Sequence, residues 1–195
     1  NLPKTRLSGE DIRVMQDCRL IESIRPEDIR GHVKLFKTAE ASKQRFRPIR
    51  HTMDVNDFYG KDSLLEVKFP MKRDICKLVH AGSHFIAFDF AAWYDQFRLQ
   101  EDVRNLFCFS DRAGHPFRLC TLPMGQRQAV GIAHTATECL LSFEKSTTAA
   151  AIIDNSIFVG SREACIEDAK VFIDRTQHVG ATLNEDVSTV QTLVC

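Results

Sequence analysis

Apolar residues recur at helical spacing near the start of the chain, which predicts two helices between residues 8 and 45. Ser8 is a suitable N-cap for the first helix, since its hydroxyl can accept from a first-turn amide. Pro26 suits the first turn of the second helix, which would carry Phe36 on its apolar face. We therefore expect a helical N-terminal extension over residues 1–40.

Shorter apolar runs bounded by turn-forming residues predict β-strands. The clearest is His84–Asp89, whose nearly continuous apolar character is typical of a strand buried on both faces. Pro48 forbids a helix interior, so the basic, alternating segment Arg45–His51 is predicted to be extended. Two hairpins are also predicted, 106–110 with 116–122, and 149–153 with 157–160 around a tight turn at Asp154-Asn155.

Three further helices are predicted from apolar spacing and end signals. They cover residues 70–79, residues 125–145, and the segment that follows the N-cap candidate Ser161 and ends at Gly180. Along the chain, the order of these elements is strand, hairpin and helix, and then a second hairpin and helix. This order predicts an α+β fold.

The composition is that of a globular protein, because 44% of the 195 residues are hydrophobic and 27% are charged. No apolar run approaches the roughly 20 residues of a membrane span, so we expect no membrane partner. The first residues show neither an initiator Met nor a signal-peptide pattern, which favours a piece of a longer intracellular protein. The seven cysteines form no Cys-x-x-Cys pair and lie mostly in apolar segments, so reduced, buried thiols are expected.

Charge is unevenly distributed, although Lys and Arg together balance Asp and Glu at 26 each. Residues 1–80 hold 17 basic and 12 acidic side chains, whereas residues 81–195 hold 9 basic and 14 acidic ones. This asymmetry suggests that one half of the chain attracts an anion while the other gathers carboxylates.

Two aspartates stand out because each ends or punctuates an apolar β segment. They are Asp89 and Asp154, which lie 65 residues apart. Polymerase-type phosphoryl transfer needs such a pair, since two divalent cations about 3.5–4 Å apart must be held between the primer hydroxyl and the triphosphate. On spacing alone, a purely structural turn residue is the alternative interpretation of Asp154.

Five segments resemble the motifs of reverse transcriptases and occur in the order of that family, over roughly residues 40–190. Phe88-Asp89-Phe90-Ala91-Ala92-Trp93-Tyr94-Asp95-Gln96-Phe97 resembles the first catalytic motif, and Ile152-Ile153-Asp154-Asn155 takes the place of the Tyr-x-Asp-Asp hairpin. Residues 122–127, 45–56 and 180–184 resemble, in turn, the Leu-Pro-x-Gly motif, the fingers motif that ends in Asn, and the Gly-x-x-Leu-Asn segment. The sequences of the first catalytic motif and of the Leu-Pro-x-Gly motif are most similar to those of DIRS-like tyrosine-recombinase retrotransposons, including VIPER-type elements.

The resemblance implies a right-hand polymerase palm, in which a central antiparallel sheet carries helices, joined to fingers. Residues 41–88 would be fingers-like and residues 89–195 palm-like, with about 100–122 added to the fingers. The chain stops near the end of the palm, so a thumb is expected to be absent. Thumb and RNase H domains would then be partners within a parent polyprotein.

The resemblance also implies a metal site. Asp89 and Asp154 would bind two Mg²⁺ ions, or Mn²⁺ in their place, with the backbone carbonyl of Phe90 as a further oxygen ligand. Asn155 stands where the family has the second Asp of the hairpin, which keeps a ligand oxygen but removes a negative charge.

Nucleotide-binding residues are implied in the same way. Tyr94 would be the steric gate that excludes a 2′-hydroxyl, Arg47 would contact the triphosphate, and Met124, Gly125 and Gln126 would lie against the base and sugar. Lys43, Arg45 and Arg127 would contact nucleic acid. A solvated basic strand is the alternative for Lys43 and Arg45, and a plain helix start is the alternative for Gln126 and Arg127.

The implied activity is RNA-directed DNA polymerisation from dNTPs on an RNA or DNA template-primer. Three observations favour an alternative. Asn155 replaces an Asp, no Lys follows Asn184, where many relatives have one, and the thumb is expected to be absent. The alternative is a catalytically inactive reverse-transcriptase-like domain that binds RNA or protein.

Overall fold

The structure is a computed structural model that describes residues 4–40, 45–58, 67–78 and 83–187. The chain divides into two compact units. Unit 1 joins residues 1–64 to 94–130, and unit 2 joins residues 65–93 to 131–195. The assignment of residues 1–40, 41–88 and 89–195 to an extension, fingers and palm stays a prediction.

Helices and strands alternate along the chain, which confirms the predicted α+β class. In chain order they are β1 (Lys4–Thr5), α1 (Gly9–Asp17), β2 (Ile21–Ser23), β3 (Lys34–Glu40), β4 (Arg45–His51), α2 (Met53–Phe58), α3 (Lys72–Leu78), β5 (His84–Asp89), α4 (Glu101–Arg104), β6 (Cys108–Ser110), β7 (Pro116–Leu119), α5 (Ala129–Leu140), β8 (Thr148–Ile152), β9 (Asn155–Gly160) and α6 (Arg162–His178).

The start of unit 1 confirms the first predicted helix but not the second. Ser8 caps α1 in a capping box, accepting from the Asp11 amide at 3.2 Å while Asp11 accepts from the Ser8 amide at 2.6 Å. The second helix is wrong, because Pro26–Asp28 forms only a short 3-10 turn and β3 follows. Helical spacing is a local signal, and here the antiparallel ladder between β3 and β4 overrides it.

Unit 1 contains two three-stranded antiparallel sheets, ordered β1-β3-β4 and β2-β7-β6. The predicted strand Arg45–His51 is confirmed as β4, and Pro48 is tolerated there because β4 lies at a sheet edge. The predicted 106–122 hairpin is confirmed as β6 and β7. The core of this unit is built from Leu7, Ile12, Met15, Ile21, Val33, Val55, Phe107, Phe109, Phe117 and Leu119.

Unit 2 is an antiparallel sheet of order β5-β9-β8 that is packed against α6. The ring of Phe172 on α6 lies 5.5 Å, between centroids, from both Phe88 and Phe158. Only one face of β5 is buried, since Ile86 and Phe88 are inaccessible while Phe85 is exposed, so the two-faced burial expected for this strand is wrong. The strand belongs to an antiparallel sheet, in which one face can meet solvent.

The helix predicted over 125–145 begins later than expected. Gly125 has φ of +105°, which no right-handed helix allows, and α5 starts only at Ala129. Gln126 and Arg127 therefore lie in a turn rather than at a helix start. The helix predicted over 70–79 is confirmed as α3, with residues 79–82 outside the described residues, and α6 is confirmed with Ser161 as its N-cap.

The six cysteines within the described ranges are all free. Three are buried, Cys108, Cys120 and Cys165, and the other three are exposed, so the expectation of mostly buried thiols holds for half of them. Burial raises the pKa of each buried thiol. No helix in the described part of the chain is long and apolar enough to cross a membrane.

Candidate functional site

The two aspartates singled out by the sequence lie at the same end of the unit 2 sheet. Asp89 is the last residue of β5 and faces Asn155, the first residue of β9, directly across the ladder. The amide of Phe90 donates to the carbonyl of Asp154 at 2.9 Å. The register therefore brings Asp89, Phe90, Asp154 and Asn155 together at one edge.

The surroundings of Asp89 come from the segment after α6. Asn184 donates from its side-chain amide to the Asp89 carboxylate at 2.7 Å, and from its backbone amide to the Asp89 carbonyl at 2.8 Å. Both carboxylate oxygens of Glu185 accept from the Asp89 amide at 3.1 Å. The Gly-x-x-Leu-Asn segment thus orients Asp89, and Glu185 is an acidic neighbour that sequence reasoning missed.

The carboxylate of Asp154 is oriented by the residue that follows it. Asn155 donates from its side-chain amide to Asp154 at 3.0 Å. A carboxylate at position 155 would be unable to donate this hydrogen bond and would face Asp89 across the ladder as a like charge. Asparagine therefore lowers the repulsion at this edge while retaining an oxygen that can coordinate a cation.

The turn between β8 and β9 lies one residue earlier than predicted, at Ile153-Asp154, so Asn155 belongs to β9. Ile153 adopts φ of +58°, a conformation that is unusual for a β-branched residue. His134 and Thr137 of α5 hydrogen-bond to its peptide groups. Neither residue was predicted, and the sequence does not single them out, because Thr135 and Glu138 of the same helix are polar as well.

The donor set at this edge is chemically suited to a hard divalent cation. It comprises two carboxylates, an amide oxygen and the Phe90 carbonyl, and Mg²⁺ is commonly held by one or two carboxylates together with substrate phosphates. Within the described ranges, no three His, Cys, Asp or Glu side chains are grouped so as to hold a metal ion. A cation at this edge would therefore need water or substrate oxygens to complete its coordination.

The predicted nucleotide-binding residues belong to unit 1, and two of them touch. The guanidinium of Arg47, on β4, lies 3.2 Å from the sulfur of Met124. The Met124 side chain is itself exposed. Arg47 therefore retains a cationic, planar group beside the Leu-Pro-x-Gly motif, which is a suitable partner for a phosphate.

The turn after Met124 is held by Asn56, the Asn that ends the fingers motif. Its side-chain amide donates to the Gly125 carbonyl at 2.9 Å, and its side-chain oxygen accepts from the Arg127 amide at 2.8 Å. A Cβ on Gly125 would make an ordinary contact of 3.4 Å with the Arg50 carbonyl. It is therefore the φ of +105° that favours glycine here. Gln126 is buried within this turn.

Tyr94 is buried, and a polar network holds the residue that follows it. The Asp95 carboxylate pairs with the guanidinium of Arg50, also buried, and accepts from the Thr121 hydroxyl at 3.1 Å. Asp95 thereby joins the Tyr94 segment to β4 and to the residue that precedes the Leu-Pro-x-Gly motif. Sequence reasoning did not identify this role of Asp95.

The remaining predicted residues are less well defined. Lys43 lies outside the described residues, and the backbone of Arg45 pairs with Glu40 at the start of β4. The predicted metal ligands thus gather in unit 2 and the predicted nucleotide-binding residues in unit 1. Their functional roles stay predictions.

No family model and no curated protein matches this sequence. Among solved structures, 372 chains match, including a foamy viral protease-reverse transcriptase in complex with double-stranded DNA. That comparison has a TM-score of 0.74 at 10% sequence identity, and it covers 89% of this chain but only 29% of the viral protein. The chain therefore spans less than a third of that protein and has a reverse-transcriptase-like fold.

Proposed function

We propose that this chain is part of an RNA-directed DNA polymerase that extends a primer with dNTPs on an RNA or DNA template. The observation that carries the proposal is the register that brings Asp89 and Asp154 to one edge of the unit 2 sheet. Sequence motifs and fold support the same activity independently, since the motif order resembles reverse transcriptases and the fold does so as well.

Two Mg²⁺ ions would be held by Asp89, Asp154 and the carbonyl of Phe90, with Asn155 beside them. When bound, such ions activate a primer hydroxyl and offset charge on the triphosphate. The contribution of the chain is positional. The ladder fixes the spacing of the two backbones, while the amides of Asn184 and Asn155 orient the carboxylates.

The nucleotide would be bound by the predicted residues of unit 1. Arg47 offers a bidentate donor for the triphosphate, Gly125 allows close approach at the Met124–Gln126 turn, and Tyr94 would exclude a 2′-hydroxyl. Lys43, Arg45 and Arg127 would contact the template-primer, in agreement with the excess of basic residues over residues 1–80.

We further propose that a parent polyprotein supplies the thumb and RNase H domains. The protein would belong to a retrotransposon of the DIRS-like group, an assignment that rests on the amino-acid sequences of the motifs alone. The second candidate function is a catalytically inactive domain that binds RNA or protein. Asn155 favours this candidate, because it replaces a family carboxylate.

Primer extension by the full-length parent protein tests the activity. Asp89→Asn and Asp154→Asn should each abolish dNTP incorporation in Mg²⁺ or Mn²⁺, whereas Asp174→Asn, at an exposed position of α6, is the matched control and should remain active. Incorporation that survives both substitutions would refute the proposal. An inactive wild-type protein that still binds RNA would instead support the second candidate.

A further inference from the structure

We propose that His134 and Thr137 are positioning residues that fix the β8–β9 turn so that Asp154 can bind a divalent cation. The inference rests on the proposed function, because it assigns the means by which a metal-binding carboxylate is held. Neither side chain belongs to the proposed ligand set.

The turn contains a residue in an unfavourable backbone conformation. Ile153 has φ of +58°, where a β-branched side chain is strained, and it directly precedes Asp154. Such a conformation persists only when its surroundings enforce it. An Ile153 free to return to ordinary φ values would change the direction of the chain at Asp154.

Two side chains of α5 supply that enforcement. The Ile153 amide donates to Nδ1 of His134 at 3.1 Å, and the Ile153 carbonyl accepts from the Thr137 hydroxyl at 2.6 Å. His134 and Thr137 lie three residues apart and therefore share a face of the helix. Both polar groups of the strained residue are thus bound to one rigid element.

The two side chains that hold the turn are buried. His134 and Thr137 are each 0% exposed, whereas Ile153 is half-buried, so competition from solvent for these hydrogen bonds is reduced. The Phe69 ring packs against the imidazole at 4.7 Å between centroids, and the Thr137 hydroxyl also contacts the Ala133 carbonyl at 3.1 Å. We call the hydrogen bonds of His134 and Thr137 with Ile153 the α5 clamp.

The clamp acts on the edge that carries the proposed ligands. Asp154 uses its carbonyl to accept from the Phe90 amide at 2.9 Å, so the backbone of the turn is tied to the end of β5 as well. With Ile153 fixed from α5 and Asp154 fixed from β5, the carboxylate starts from a defined backbone position.

The test measures Mn²⁺ binding by the whole chain, by electron paramagnetic resonance at a temperature well below its melting transition. Thr137→Val keeps the side-chain shape but removes the hydroxyl, and should weaken Mn²⁺ binding by up to about 10-fold, the lower end of the range for outer-shell partners, because Thr137 acts through Ile153 rather than on Asp154 itself. Thr137→Ser keeps the hydroxyl and should bind Mn²⁺ like the wild type. His134→Phe, which removes the Nδ1 acceptor, is the second variant if Thr137→Val does not fold.

Hydrogen exchange provides a readout that needs no metal. Protection of the Ile153 amide should fall in both Thr137→Val and His134→Phe, and it should be retained in Thr137→Ser. Glycine adopts φ near +58° without strain, so in an Ile153→Gly background the effect of Thr137→Val on Mn²⁺ binding should largely disappear. That loss of coupling is specific to a clamp on a strained turn.

Two results have different meanings. Equal Mn²⁺ binding by wild type and Thr137→Val, both tighter than Asp154→Asn, would overturn the positioning role and leave the proposed function intact. Mn²⁺ binding that is no tighter in the wild type than in Asp154→Asn would refute the metal site, and the positioning role with it.

Discussion

The ion pair between Arg50 and Asp95 anchors the segment that begins at Tyr94, and Asp95→Ala tests this anchor. The Arg50 side chain is 7% exposed, and its Nε has no hydrogen-bond partner within the described residues. Removing Asp95 would leave a buried guanidinium without its carboxylate and would also deprive the Thr121 hydroxyl of an acceptor.

The size of the effect follows from the exposure of the two partners. Breaking a buried ion pair by removing one partner costs about 3–5 kcal/mol. Asp95 retains 26% of its side-chain exposure, so water screens part of the interaction. We therefore expect a loss of about 3 kcal/mol in the free energy of unfolding of unit 1, which lowers its urea midpoint by about 2 M.

Urea unfolding is followed by two probes. Far-UV circular dichroism reports on both units, whereas fluorescence reports on Trp93, the only tryptophan in the sequence, which belongs to unit 2 but shares a 3-10 turn with Asp95. Asp95→Ala should lower the dichroism midpoint, and a dichroism transition that precedes the fluorescence transition would show that unit 1 unfolds first. Arg50→Met combined with Asp95→Ala should recover most of the loss, since no charge is then left buried.

Two results would refute this reasoning. One is a midpoint shift below about 0.5 M for Asp95→Ala, which would be too small for a buried pair. The other is a double variant that is no more stable than Asp95→Ala alone.

Three further predictions concern stability. The pKa of Asp11 is lowered from 3.8 to about 2, first by the hydrogen bond from Lys37 and then by that from Ser8. The resulting stabilisation is complete above about pH 5 and is lost as the pH falls through 2, so the free energies of unfolding of wild type and Asp11→Asn, from thermal melts, should differ by about 1–2 kcal/mol near neutrality and converge only below pH 2. Gly125→Ala should cost about 1–3 kcal/mol in urea unfolding, because φ at this position is +105°, and more than the control Gly9→Ala, where φ is not positive and a Cβ would meet nothing within 4 Å; equal costs would refute this argument from backbone conformation. Without metal, Asn155→Asp should cost about 0.5–1 kcal/mol through like-charge repulsion opposite Asp89, which lowers the melting temperature. Added Mg²⁺ should restore the melting temperature, and an unchanged melting temperature without metal would contradict this electrostatic argument.

Local patterns were sufficient to predict that Asp89 ends a β segment and that Asp154 lies in a hairpin turn. An apolar run that stops at Asp89 and a hairpin near Asp154 are both local features, and antiparallel pairing of β5 with β9 then brings them together. The same kind of pattern failed at Phe36, because the helical spacing that includes it is compatible with β3 and only pairing with β4 decides between them. That pairing is not encoded within either segment alone.

The turn at Ile153 shows a second limit of sequence reasoning. Asp-Asn is favourable turn chemistry, whereas a β-branched residue at positive φ is not, so local preference predicts the turn one residue too late. The observed turn is held by hydrogen bonds from His134 and Thr137, which are 19 and 16 residues away in the chain. These hydrogen bonds are evident only once α5 is packed against the hairpin. The contacts of Asp95 with Arg50 and Thr121 likewise join residues far apart in the chain, so only the folded structure reveals them.

The two groups of candidate residues are held by different physical means, and their tolerance to substitution should differ accordingly. Asp89 and Asp154 owe their relative position to backbone hydrogen bonds, which a surface side-chain change leaves intact. The Tyr94 segment and the Gly125 turn depend instead on single side chains, Asp95 and Asn56, each of which satisfies two partners at once. One substitution at either residue removes two interactions, and at Asp95 the cost is the larger because its partners, Arg50 and Thr121, are buried. The proposed nucleotide-binding residues should therefore tolerate substitution less well than the proposed metal ligands, whose positions should survive most changes outside Asp89, Asp154 and the α5 residues His134 and Thr137.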